Sequence, residues 1–137
     1  MYPAELVNPM KEQMTSKGFQ ELVNATTVNE ALTKEGTTLL FINSVCGCSA
    51  GTARPGVLDS LQGDGKKPDQ LTTSFAGFDI EGVSEARKHL MPYPPSSPAI
   101  ALLKNGELVH MIERHMIEGR SAEMISANLK SAYEMYC

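Results

Sequence analysis

No apolar run in this sequence is long enough to cross a bilayer. The longest lie around Leu39–Ile42 and Ala99–Leu103, far below the roughly 20 residues a spanning helix needs. A basic leader followed by an apolar segment is also missing, since the chain opens Met1-Tyr2-Pro3-Ala4-Glu5. Neither a secretory signal nor a membrane contact is expected, and the chain reads as cytoplasmic. Basic charge is not in excess: 12 Lys and Arg stand against 16 Asp and Glu, a net charge of −4. That balance argues against nucleic-acid binding, which needs a basic face to displace counterions, but leaves room for a local basic pocket holding a small anion. Cysteine is scarce. Three in 137 residues make no disulfide scaffold, and in a reducing compartment a close pair points to redox chemistry, sensing or metal binding. Internal repeats and linker-like composition are absent, so one domain over residues 1–137 is expected.

What is present is an alternation of helical and strand patterns. Leu6, Val7, Met10 and Met14 fall at helical spacing within residues 4–17, which Gly18 closes. Residues 19–23 fit a short edge strand. Thr26 or Thr27 with Glu30 suggests a capping box for a short helix that turns Val28, Ala31 and Leu32 inward. Thr37–Asn43 is short and almost continuously apolar, as a buried parallel strand should be. A helix over residues 50–61 follows, with Val57, Leu58 and Leu61 on one face and Pro55 marking a kink. After a polar loop over 63–69 come a strand at 71–76, a helix at 84–91 and an irregular proline-rich stretch at 91–98. Strands at 99–103 and 108–112 flank Asn105-Gly106, a strong two-residue hairpin signal. Ser121 then opens an amphipathic helix carrying Met124, Ile125, Leu129 and Tyr133. Alternating strands and helices imply a parallel sheet covered on both faces, and the hairpin adds an antiparallel edge. The expected fold is α/β: a thioredoxin-like βαβαββα mixed sheet with an additional N-terminal helix. A flavodoxin-like sheet is the alternative, and the hairpin counts against it.

The chemistry concentrates in Ser44-Val45-Cys46-Gly47-Cys48, where the buried strand gives way to a helix. Unpaired N–H groups and the helix dipole favour a thiolate there, so Cys46 is the expected nucleophile and the more acidic thiol. Residues two apart on a regular helix point about 200° away from each other. A Cys46–Cys48 bond therefore needs Cys46 outside the helix and a compliant residue between, the place of Gly47. The resulting small ring should be strained and readily reduced. Cys46, Cys48, His110 and His115 could alternatively converge on a metal, but zinc sites use a wider first pair and no second close pair exists.

Pro98 stands directly before an apolar strand, after Ser97. About 5–6% of X-Pro bonds in folded proteins are cis, but a thioredoxin-like fold holds a cis proline here, facing the cysteines and leaving backbone for substrate. Cis at Ser97–Pro98 is therefore expected, with Pro95 the competing position. Arg54, Arg114, His115 and Arg120 are solvated charges by default, though any of the arginines could grip a carboxylate. Cys137 is an incidental thiol, or a resolving one if the last helix returns it to the site.

With Asn43-Ser44-Val45-Cys46-Gly47-Cys48, Ala53-Arg54-Pro55, Phe75-Ala76-Gly77, Pro95-Ser96-Ser97-Pro98, Arg114-His115, Ile117-Glu118-Gly119 and Cys137 assembled, nearly the whole chain resembles the bacilliredoxins. The resemblance implies a thiol–disulfide oxidoreductase that removes bacillithiol from S-bacillithiolated client proteins. Bacillithiol would be the thiol co-substrate, with no resident cofactor and no metal. It implies that Cys46 takes up the bacillithiol and that Cys48, or a second bacillithiol, resolves the adduct. The malate group of bacillithiol gives Arg54, Arg114 or Arg120 a reason to matter, while Gly47, Ser97 and Pro98 would line the substrate. A general protein disulfide isomerase and a metal-binding module stand as alternatives.

Overall fold

The seven residues of the central strand are buried on both faces, and this strand organises the rest. A computed structural model describes all of residues 1–137. In chain order the elements are α1 (Ala4–Thr15), β1 (Gln20–Glu21), α2 (Ala25–Leu32), β2 (Thr37–Asn43), α3 (Arg54–Ser60) and β3 (Gln70–Phe75). They continue with α4 (Ile80–Lys88), β4 (Ala99–Lys104), β5 (Glu107–Ile112), α5 (Arg114–Ile117) and α6 (Ala122–Tyr136). The sheet has five strands in the order β1-β3-β2-β4-β5. β1, β3 and β2 are parallel, whereas β4 runs antiparallel to β2 and β5 antiparallel to β4. This is the expected thioredoxin-like mixed sheet. The antiparallel β4 removes the flavodoxin-like alternative, whose strands run parallel.

Period-two alternation along β2 divides the core. Leu39 and Phe41 join Met14, Val57, Ile125, Leu129 and Tyr133, so α1, α3 and α6 cover one face. Leu40 and Ile42 join Val28, Ala31, Leu32 and Ala86, so α2 and α4 cover the other.

Register places the site. Asn43 at the end of β2 pairs with Phe75 of β3, and Ile42 pairs with Ala99 of β4. The segment after β2 is thus flanked by the Ala76-Gly77 turn on one side and by Ser97-Pro98 on the other. Ile112 pairs with Ile100, so the chain leaving β5 rises at the same edge and carries Arg114 with it.

Several local expectations are revised. α2 is capped by Asn24, whose Oδ1 accepts from Thr27 N at 2.9 Å, with Thr27 Oγ1 accepting from Asn24 N at 3.4 Å. Asn is among the best N-cap residues, and it displaces the Thr–Glu30 pairing. The helix expected over residues 50–61 is split into a π turn, Ser49–Ala53, and α3. Arg54 N bonds to Ser49 O, the wide-turn bond, and Pro55 directly after it has no N–H to give. α4 begins at Ile80, earlier than expected; exposed Ile80 and the absence of a side-chain cap hide its start. α5 is too short to show periodicity. α6 is capped by Ser121 as expected, but Met124 faces out and is 53% exposed. The hairpin holds: Asn105 and Gly106 have φ of 52° and 83°, the pattern of a type I′ turn.

Candidate active site

Asn43 and Arg54 build the loop that carries the cysteines. Asn43 Oδ1 accepts from Ser44 N at 2.9 Å, Ser49 Oγ at 3.0 Å and Arg54 Nη1 at 3.0 Å. Arg54 Nη1 also donates to the Ser44 carbonyl at 2.9 Å, and Cys46 N donates to Ser44 Oγ at 3.1 Å. The Cys46 carbonyl then accepts from Ser49 N and Ala50 N, so Cys46 stands just outside the first helical turn. Arg54 is only 2% exposed and its Nε has no partner. It cannot present its guanidinium to a dissolved carboxylate, so that expectation is corrected. An arginine at a sequence position is read as surface by default; here it is the internal brace of the loop.

The cysteines are both free, with their sulfurs 2.6 Å apart. The Cys46 thiol is held below its ordinary pKa. The main cause is the hydrogen bond from the Cys48 thiol, helped by the Cys48 N–H, the Arg114 guanidinium and the Ser49 N–H against some burial. Cys48 is pushed up, first by burial, then by its role as donor to Cys46 and by the charges of Cys46 and Glu118. The two thiols are thus unequal in the expected sense. Gly47 is exposed, lies outside the left-handed region, and a Cβ there would meet nothing within 4 Å. In the dithiol form no special conformation is asked of it; it leaves the approach to both sulfurs open.

Arg114 is the cation that reaches the thiol. Its Nη2 lies 3.2 Å from Cys46 Sγ, its Nη1 donates to the Ser97 carbonyl at 3.1 Å, and its Nε donates to the Glu118 carboxylate. The Ser97–Pro98 bond is cis, as is Met91–Pro92, which the sequence reading did not single out; Pro95 is not cis. Pro98 is buried, Ser97 half-buried. The Ser97 carbonyl is already taken by Arg114, whereas its N–H has no acceptor in the protein. Arg87 of α4 steadies the same loop, donating to the Ser96 carbonyl at 3.0 Å. Cys46, Arg114 and Ser97 face an open depression of about 350 Å³, closed on the far side by Ala76, Gly77 and Tyr2. Sequence patterning carried no signal for Arg87 or Tyr2.

The other candidates lie elsewhere. His115 is largely exposed and lies 4.0 Å from Glu113, His110 bonds Asn128 at 2.6 Å, and no group of three metal-ligating side chains forms. The converging Cys–His set is therefore not assembled. Arg120 is exposed; its carbonyl, not its side chain, is engaged, accepting from Thr52 Oγ1 at 3.0 Å. Cys137 lies beside Thr37, at the opposite end of β2 from the CxC loop, and burial raises its pKa. At about 3.3 Å per strand residue the gap is roughly 20 Å, too far for it to resolve an adduct on Cys46 in the same chain.

An acidified thiol beside a second thiol at a strand–helix junction is equipped for thiol–disulfide exchange. Residues 2–137 match the family described as disulphide isomerase. The chain is 55% identical over 134 residues to a protein named bacilliredoxin from Cytophaga hutchinsonii, across 98% of each chain. It is 50% identical over 137 residues to another of that name from Shouchella clausii, across 99% of this chain and 94% of that one. The chain belongs to the bacilliredoxin family. Its fold is similar to oxidised mitochondrial thioredoxin 3 of Saccharomyces cerevisiae, with a TM-score of 0.59 at 17% identity over 90% of this chain and 98% of that. Thioredoxin O2 of Arabidopsis thaliana gives 0.58 at 20% identity, over 86% and 96%. As a member of this family the chain is a thiol–disulfide oxidoreductase, and no helix in it is long and apolar enough to cross a membrane.

The inequality of the thiols has a direct readout. Limiting alkylating reagent at neutral pH should label Cys46 ahead of Cys48 and Cys137. Because the Cys46 pKa is lowered and the others raised, the Cys46 rate should climb and level off at lower pH than theirs. Peptide mapping that finds Cys48 labelled first would reverse the assignment.

Proposed function

We propose that this chain removes bacillithiol from S-bacillithiolated proteins in the cytoplasm, with Cys46 as nucleophile. The Cys46 thiolate attacks the bacillithiol sulfur of the mixed disulfide. The client leaves as a thiolate, which takes a proton from solvent, and Cys46 holds the bacillithiol as a new disulfide. The Cys48 thiol, once deprotonated, attacks the Cys46 sulfur, forming the Cys46–Cys48 disulfide and releasing bacillithiol. A second bacillithiol attacking the adduct would instead yield bacillithiol disulfide and free Cys46. The observation that carries this reading is Arg114 at 3.2 Å from Cys46 Sγ on the wall of an open depression. One guanidinium can favour the thiolate and receive the malyl carboxylates of the thiol being removed. The free Ser97 N–H beside cis Pro98 is a donor for the substrate's backbone-like amide.

The second reading is general protein disulfide isomerisation, favoured by the description of the matching family and by the CxC pair itself. Purified protein should be given a bacillithiolated client and, separately, a scrambled-disulfide protein. Faster release of bacillithiol than rearrangement of disulfides supports the first reading. Efficient rearrangement with no bacillithiol released establishes the second.

A further inference from the structure

We propose that Tyr2 is a specificity-determining residue, an aromatic wall that receives a hydroxylated ring of the departing thiol opposite Arg114; this rests on the bacillithiol reading above. Tyr2 N donates to the Gly77 carbonyl at 3.2 Å, tying the segment before α1 to the turn after β3. Its ring lies over Gly77, where a Cβ would come within 2.5 Å of Tyr2 Cε2 and 2.9 Å of Cδ2. Gly77 has φ of +79°, so the turn needs glycine for its backbone, and the same missing side chain makes the seat for the ring. Yet the ring contributes to neither apolar cluster of the core and stays 42% exposed. Its hydroxyl makes no hydrogen bond within the protein, and it lines the same depression as Cys46, Ser97 and Arg114.

The depression is therefore two-sided in chemistry. Arg114 offers a cation on one wall, and Tyr2 offers an apolar face edged by a free hydroxyl on the other, with Cys46 between them. An aromatic ring with one wet end suits a partner that is apolar on its face and hydroxylated on its rim, as a sugar ring is. A volume of about 350 Å³ is at the small end for ligand sites and fits a single thiol carrier. A thiol that combines carboxylates with a hydroxylated ring satisfies both walls at once; a purely peptidic thiol satisfies only Arg114.

The test compares kcat/KM for a bacillithiolated protein with kcat/KM for hydroxyethyl disulfide, which has neither carboxylate nor ring. Tyr2→Ala should lower the ratio of the two about tenfold, the equivalent of one good aromatic contact, chiefly through KM. Tyr2→Phe, which keeps the ring and loses only the hydroxyl, should hold the ratio between those of the parent and Tyr2→Ala. Gly77→Ala, which drives the ring from its seat, should lower it in the same direction as Tyr2→Ala. A ratio unchanged in Tyr2→Ala, with the parent turning over the bacillithiolated protein, overturns the assignment of Tyr2 alone. A parent protein that releases no bacillithiol overturns the functional reading and this assignment together.

Discussion

Replacing Cys46 by serine is expected to bring release of a protein-bound thiol down to background, while Cys48→Ser keeps the first step. The reason lies in the unequal environments of the two sulfurs. Cys46 has the Cys48 donor, two backbone N–H groups and Arg114 around its sulfur. Cys48 is pushed up mainly by burial, and burial remains when its partner is removed. With its pKa held above the ordinary thiol range, Cys48 alone would supply only a small share of the attacking thiolate at neutral pH. Stopped-flow or single-turnover release from a mixed disulfide reads this directly. Cys137→Ser should match the parent, since that residue sits at the far end of β2 beside Thr37. Retained release in Cys46→Ser together with loss in Cys48→Ser would reverse the roles.

Gly82→Ala should produce the largest loss of stability among single small changes. A Cβ at Gly82 would lie 2.1 Å from the Leu22 carbonyl oxygen and 3.0 Å from the carbonyl carbons of Leu22 and Val23. All three contacts are backbone, so none can swing aside, and α4 has to lift from the edge of the sheet. An alanine in a helix ordinarily gains about 0.5–1 kcal/mol over glycine. Overpacking costs about 1–3 kcal/mol and more when backbone must shift, so the clash sets the sign. A net loss of about 2–3 kcal/mol is a sizeable part of the roughly 5–15 kcal/mol that holds a domain folded. Denaturant titration should show a lowered midpoint. Because Arg87 on the same helix holds the Ser96 carbonyl, the cis-proline loop should loosen as well. Gly47→Ala is the contrast, with nothing within 4 Å of its new methyl, and should stay within about 0.5 kcal/mol of the parent. An unchanged midpoint in Gly82→Ala would contradict the packing described here.

The fold was legible because its determinants are local. The apolar run Thr37–Asn43, the Asn105-Gly106 turn and the strand–helix alternation each act through nearest neighbours, and together they favour a mixed sheet over the flavodoxin-like alternative that the antiparallel β4 then removes. The position of the cysteines was legible for the same reason, since a strand end followed by a helix is a local feature. What was not legible depends on contacts between distant segments. Arg54 reads as a surface charge in sequence, and only the packing of α3 under the loop turns its guanidinium inward to Asn43 and Ser44. Arg114 could be named together with Arg54 but not singled out, because the register of β5 is what raises Arg114 beside Cys46. Tyr2 and Gly77 stand far apart in sequence; Gly77 falls in the Phe75-Ala76-Gly77 run, Tyr2 in no motif, and their contact exists only in the folded chain. Cys137 illustrates the converse. Its distance from the site follows from the direction in which α6 returns, and no pattern in the residues encodes that direction.

The account turns on Cys46 being the sulfur that accepts the low-molecular-weight thiol. The most direct measurement is the intact mass of Cys48→Ser protein after exposure to bacillithiol disulfide, with the modified residue located by peptide mapping. The account predicts a gain of one bacillithiol, carried on Cys46 and removed by added reductant. An adduct on Cys137, or no adduct at all while Cys46→Ser protein acquires one on Cys48, would contradict it.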